Sequence, residues 1–151
     1  MAARDRHIRP ATAADVEAMV GLLNALFSIE ADFQPDPARQ RRGLRMLLSA
    51  QTACVLVAEM DGEVAGMCTC QLVVSTAEGG FSGLVEDVVV ADSRRGGGIG
   101  RALLDAATAW AVERGATRLQ LLADADNAPA CAFYSHIGWT GTRLVCLRRV
   151  P

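Results

Sequence analysis

Between an apolar run ending at Val90 and a repeating apolar pattern from Ala102, the chain places Arg95-Gly96-Gly97-Gly98-Ile99-Gly100-Arg101. Glycine has no Cβ, so a ligand can come close to its main chain. A helix that starts here leaves backbone N–H groups unpaired and carries a partial positive charge. Together these features make a place for phosphate. Two familiar phosphate loops fail on the residues themselves. A P-loop ends in Gly-Lys-Ser/Thr, whereas Gly100 is followed by Arg101-Ala102. A dinucleotide turn needs G-x-G-x-x-G, and its third glycine would fall on Arg101 or Leu103. What remains is R-x-x-G-x-G, carried by Arg95, Gly98 and Gly100.

The elements around this turn follow from periodicity. Glu86-Asp87-Val88-Val89-Val90 is β-branched and reads as a central strand. Its alternation puts Glu86, Val88 and Val90 on one face and Asp87 on the other. Ala102, Leu103, Ala106, Ala107, Trp110 and Ala111 repeat at helical spacing, and Arg114-Gly115 stops that helix. Upstream, Ile8-Arg9 is a short strand ended by Pro10. Thr12 to Asp15 is a helix start, and Val16, Met19, Val20, Leu23, Leu26 and Phe27 form one apolar stripe. Ser28 to Asp36 is a loop carrying Glu30, Asp32 and Asp36. Asp36-Pro37 opens a second helix whose arginines form a solvated face. Ala53–Met60 and Glu63–Val74 are strands joined at Asp61-Gly62, with Gly66 marking a bulge. Thr117–Ala123 is the next strand. Asn127 caps a short helix that Gly138 ends, and Trp139 to Val150 closes the chain as one strand or a short pair.

The order is β-α-α-β-β-β-α-β-α-β. The tight hairpin makes its strands antiparallel, and the unit from residue 84 to 123 implies a parallel pair with a right-handed crossover. The expectation is an α/β fold over residues 1–151 as one domain. Its mixed, mostly antiparallel sheet should have six to seven strands, flanked by helices on both faces.

Arg95, Gly98 and Gly100, between that strand and that helix, resemble the acyl-CoA loop of the GNAT acetyltransferase family. Asn127, Ala130, Phe133, Tyr134 and Gly138-Trp139 resemble a second segment of the same family, and the element order agrees from Ile8 onward. The resemblance implies acetyl-CoA as cosubstrate, no metal, and a primary amine of a small molecule or peptide as acceptor. It implies that the backbone of Val88, Val89 and Val90 binds the pantetheine arm. Arg95, Gly96, Gly97, Gly98, Ile99, Gly100 and Arg101 would bind the diphosphate, with Asn127 and Ala130 alongside the cofactor. Two departures stand out. Gly97 occupies a position where the family often has lysine or arginine. Trp139 to Pro151 is short for the closing pair of strands, so either the last strand is stunted or a dimer partner completes the sheet edge.

Acetyl transfer asks for specific groups. A lysine-like amine has a pKa of about 10.4, so only about one molecule in a few thousand is neutral at pH 7. A base can help, the thioester oxygen needs an N–H donor, and the leaving thiolate needs a proton. Tyr134, the sole tyrosine, matches the position of the family's general acid; the alternative is a packing aromatic. Glu86 is the candidate base; the alternative is a strand-end carboxylate paired with an arginine. Glu30 and Asp32, on the loop that borders the family's acceptor site, would favour a cationic substrate unless they are simply solvated.

Composition sets the outer limits. The 151 residues are 51% hydrophobic and 21% charged, with a net charge of −2, and every basic side chain other than histidine is arginine. This is a globular chain with no general attraction to nucleic acid. No apolar run reaches membrane-span length, and Met1 to His7 lacks the apolar core of a signal peptide. A cytoplasmic protein with reduced thiols follows, and Cys68-x-Cys70 reads as packing on one strand face. A non-catalytic acyl-CoA sensor is the competing function; Tyr134 argues against it.

Overall fold

The computed structural model describes residues 5–30 and 32–151. Their contacts fall into two compact units, Met1–Gln120 and Leu121–Pro151.

The strands are β1 (Arg6–Pro10), β2 (Ala53–Met60), β3 (Glu63–Ser75) and β4 (Gly80–Val90) in the first unit, and β5 (Ala116–Leu121), all but the last residue of which belongs to it. They form one sheet in the order β1-β2-β3-β4-β5. The first four are successively antiparallel. Asp61-Gly62 turns β2 into β3 with φ of 52° and 80°, as a two-residue hairpin requires. The irregularity in this pair has Ala58 opposite Gly66 and Glu59 opposite Val64, so Ala65 is the extra residue beside the expected Gly66. Gly66 has a different task. A Cβ there would lie 3.1 Å from Ile99 Cγ2 and from the Val89 oxygen, so its absence lets the following helix sit against the sheet.

Three helices cover the sheet: α1 (Val16–Ile29), α2 (Pro37–Ser49) and α3 (Ile99–Glu113). Strand alternation decides which face each takes. Val55, Val57, Met67 and Val89 pack with Val16, Met19, Val20, Leu23 and Leu44, which seats α1 and α2 on one face. Gly66 and Cys68 point the other way; Gly66 meets Ile99 and Leu103, and the Cys68 thiol donates to the Leu103 oxygen at 3.6 Å. That is the α3 face. Cys68 and Cys70 are fully buried there, as the C-x-C spacing implied. A charged cluster anchors the start of α1. Arg9 reaches Asp15 with two bonds of 2.8 and 2.9 Å and Glu59 with one of 2.8 Å. The Arg9 guanidinium and the Thr12 N–H hold the nearly buried Asp15 carboxyl at about 2, against the cost of burial.

In the second unit, α4 (Ala128–His136) begins at Asn127, whose Oδ1 accepts from the Ala130 N–H at 3.2 Å. Phe133, Tyr134 and Trp139 form an aromatic run, with centroids 5.2 and 6.2 Å apart. The Trp139 N–H donates to the Tyr134 oxygen at 2.9 Å, folding the chain back after Gly138.

The six- to seven-stranded expectation is corrected: the sheet has five strands among the described residues. Residues 139–151 form no strand. Their apolar side chains Leu144, Val145, Leu147 and Val150 are each at least 80% exposed. An alternating apolar sequence does not make a strand unless another strand accepts its backbone hydrogen bonds, and this segment has none alongside it in the described ladder.

Candidate active site

The glycine turn is where its residue types required it. A 3-10 turn (Asp92–Arg94) leads from β4 into it, and Gly98 is the N-cap of α3 with φ +76°. Side-chain-bearing residues rarely adopt that conformation, so the glycine is needed for the chain to swing into the helix. Ile99, Gly100 and Arg101 are the first turn of α3 rather than loop, and their N–H groups lie among those a helix start leaves without helical partners. Ile99 itself is buried and fixes the turn to the core. Arg95 sends Nε to the Val90 oxygen at 3.3 Å and pairs with Asp92 at 2.9 Å. Arg94 pairs with Asp61 at 3.1 Å. A cavity of about 420 Å³ opens beside Arg6, Ser93, Arg94, Arg95, Gly97 and Ile99. Unpaired helix-start N–H groups, arginines and an open cavity suit a diphosphate.

Strand β4 carries the groups that would meet a thioester. The Ala91 N–H bonds the Ala65 oxygen at 2.8 Å, and Val89 pairs with Met67. Alternation of the ladder therefore turns the Val89 main chain toward β3 and those of Val88 and Val90 away from it. Two residues, Asp87 and Val88, stand opposite Cys68 alone, because Thr69 pairs with Glu86 and Met67 with Val89. This bulge shifts the phase of the strand. The expectation that Glu86 shares a face with Val88 and Val90 is thereby corrected: Glu86 falls on the face of Thr69 and Met67, and Val90 opposite Gly66 falls on the other.

Asp87 has φ +54° and is half-buried. Its carboxyl does not stand apart from Glu86 as simple alternation had it; it lies within the fields of both Glu86 and Glu30. Burial, then Glu86, then Glu30 push it up to about 6. Glu30 is the C-cap of α1, so a charge at the helix end and one on the neighbouring Glu86 both act on the Asp87 carboxyl. Asp87 is the candidate residue that periodicity missed. Its signal was present: two adjacent acids in an otherwise apolar strand. The other loop acids have separate fates. Asp36 caps α2 by accepting from the Arg39 N–H at 3.1 Å, and Asp32 is exposed. Tyr134, Asn127 and Ala130 lie in the second unit, where Tyr134 is half-buried in its aromatic run.

Comparison with known proteins now adds to this geometry. A profile described as "Acetyltransferase (GNAT) family" matches residues 17–139. The chain belongs to that family. The aminoglycoside N(6')-acetyltransferase type 1 of Stenotrophomonas maltophilia is 31% identical to this GNAT chain over 147 residues, covering 95% of it and 92% of the relative. Among solved structures, an aminoglycoside N-acetyltransferase in complex with CoA superposes with a TM-score of 0.85 at 18% identity, covering 98% of this chain and 96% of that one. Glucosamine-6-phosphate N-acetyltransferase from Arabidopsis thaliana does so with a TM-score of 0.77 at 18% identity, covering 97% and 99%. Membership makes this GNAT protein an acetyl-CoA-dependent N-acetyltransferase, which carries an acetyl group to an amine. No group of three or more His, Cys, Asp or Glu able to hold a metal ion occurs among the described residues, and no helix among them is long and apolar enough to cross a membrane.

Proposed function

We propose that the acceptor is the primary amine of a small polycationic molecule, such as an amino sugar or a polyamine. The observation that carries this is the half-buried Asp87 at the bulge of β4, whose carboxyl feels the negative fields of Glu86 and Glu30. A cluster of carboxyl groups raises the local concentration of cations and favours an ammonium over a neutral or acidic acceptor. The relative from Stenotrophomonas, an aminoglycoside acetyltransferase by name, supports the same class.

In this reading Arg95 to Arg101 hold the diphosphate through main-chain N–H groups. Val88 and Val90 bond the pantetheine arm, and the Val88 N–H polarises the acetyl oxygen. Asn127 and Ala130 flank the cofactor. Asp87, with Glu86 beside it, takes the proton of the incoming ammonium, because a carboxyl near pH 6 is ionised yet basic enough to share it. The amine nitrogen bonds to the acetyl carbon, the carbon–sulfur bond breaks, Tyr134 gives its proton to the leaving thiolate, and the nitrogen sheds its second proton as the amide forms, which restores the Tyr134 phenol. Asp32 contributes to the acidic rim only. The two units act as one catalytic domain, which the family match across residue 120 supports. The enzyme works in the cytoplasm as a homodimer; the exposed Leu144, Val145 and Leu147 support a second copy taking up the 139–151 segment.

The test is acetyl-CoA-dependent release of free thiol across a panel of amines. Polyamines and amino sugars should give the highest kcat/KM, with neutral and acidic amines at least about tenfold lower. Equal rates for all charge types would remove the acceptor assignment.

A further inference from the structure

Arg6 opens β1 and bonds a carbonyl 91 positions away: its Nη1 donates to the Gly97 oxygen at 3.0 Å. The same nitrogen lies 3.3 Å from where a Cβ on Gly98 would stand, so it sits directly against the N-cap of α3. The Gly97 oxygen and the Gly98 N–H belong to one peptide unit, which is planar and trans, so they point to opposite sides. A guanidinium gripping the oxygen therefore fixes where that N–H points. Charge makes the second half of the argument. Arg94 is paired with Asp61, Arg95 with Asp92, and Arg101 approaches Asp105 at 3.8 Å. Arg6 pairs with no carboxylate among the described residues; its recorded bond is to a neutral carbonyl. It keeps an uncompensated positive charge on the rim of the 420 Å³ cavity shared with Ser93, Arg94 and Arg95.

We propose that Arg6 is a positioning residue of the coenzyme A diphosphate site, holding the Gly97–Gly98 peptide in register and supplying a cation that the bare Gly97 does not. The inference rests on the reading of the glycine turn as the diphosphate site. It explains why β1, at the far edge of the sheet from β4, reaches that turn at all.

Arg6 is exposed at the surface, so Arg6→Gln should keep the fold intact, with an unchanged thermal unfolding midpoint as the check. Calorimetric Kd for coenzyme A should rise about tenfold, the worth of a charge-assisted bond. KM for acetyl-pantetheine, which has no diphosphate, should stay within twofold of wild type. A purely structural role would move both substrates together. Gly97→Lys in the Arg6→Gln background should recover most of the lost affinity. A Cβ at position 97 meets nothing closer than the Arg94 oxygen at 3.7 Å, so the lysine is accommodated. Unchanged coenzyme A affinity in Arg6→Gln, equal losses for both substrates, or no recovery with Gly97→Lys would each overturn the proposal. If wild type fails to bind coenzyme A at all, the diphosphate reading itself falls.

Discussion

Around Gly98 the candidate binding groups are main-chain N–H groups, while the adjacent side chains of Arg94 and Arg95 are tied to Asp61 and Asp92. Around Asp87 the candidate groups are carboxyl side chains, and burial with the fields of Glu86 and Glu30 raises the Asp87 carboxyl. The first region is fixed by backbone geometry and has no titrating group to lose. The second is set by charge, so it responds to pH and to single substitutions that keep their shape. On the proposed reading one site would bind its invariant ligand with backbone and its variable ligand with side chains, and the two halves should fail differently.

The largest effect should come from the group that belongs to neither half. Tyr134→Phe should cut kcat by about a hundredfold or more, with Kd for coenzyme A unchanged by titration; undiminished turnover would remove the acid assignment. Gly98→Val comes next. Its φ of +76° strains any β-branched residue, and the new side chain would crowd Arg6. Coenzyme A affinity should fall roughly ten- to a hundredfold, at a cost of about 1–3 kcal/mol for the strained backbone. The pH profile should keep its shape, since no acceptor-side group has changed.

Asp87→Asn should do the reverse. In wild type, kcat/KM should climb as pH rises through about 6, where Asp87 ionises. The variant should lose that limb and about tenfold in rate at pH 8, with coenzyme A binding intact. Stability gives an independent sign. The folded carboxyl titrates at about 6 rather than 3.8, so its contribution is fully present below 3.8 and is lost as pH rises through 6. Asp87→Asn should therefore melt relatively higher than wild type at pH 7.5 than at pH 4. Asp15 behaves oppositely: lowered to about 2, its contribution is present above 3.8 and lost as pH falls toward 2. The smallest effect is Glu86→Gln, which removes one like charge and should move the Asp87 limb to lower pH without abolishing it. A limb that stays in place would show that the two acids are uncoupled.

Much of this division was legible in the residues. Asp36-Pro37, Asp61-Gly62 and the glycine turn carry local chemistry, and local chemistry decided their structures. The order of helices and strands followed the same way through β5. The bulge at Asp87 was not legible, because Glu86-Asp87-Val88-Val89-Val90 has no polar–apolar alternation for an inserted residue to interrupt. The Arg6 bond joins β1 to a turn 91 residues on, and nothing in either stretch announces the other. The closing strands failed for a different reason. Leu144, Val145 and Leu147 have strand-forming side chains, but a strand exists only when a neighbour accepts its hydrogen bonds.

The central claim is that bare main chain at the start of α3 grips the diphosphate of acetyl-CoA and so presents the thioester to the acidic bulge. Calorimetric titration of wild type with coenzyme A and with pantetheine tests it most directly. The account predicts that coenzyme A binds at least about a hundredfold more tightly, because only it carries the diphosphate that several N–H groups and arginines would hold. Equal affinity for the two, or no heat with coenzyme A, would contradict it.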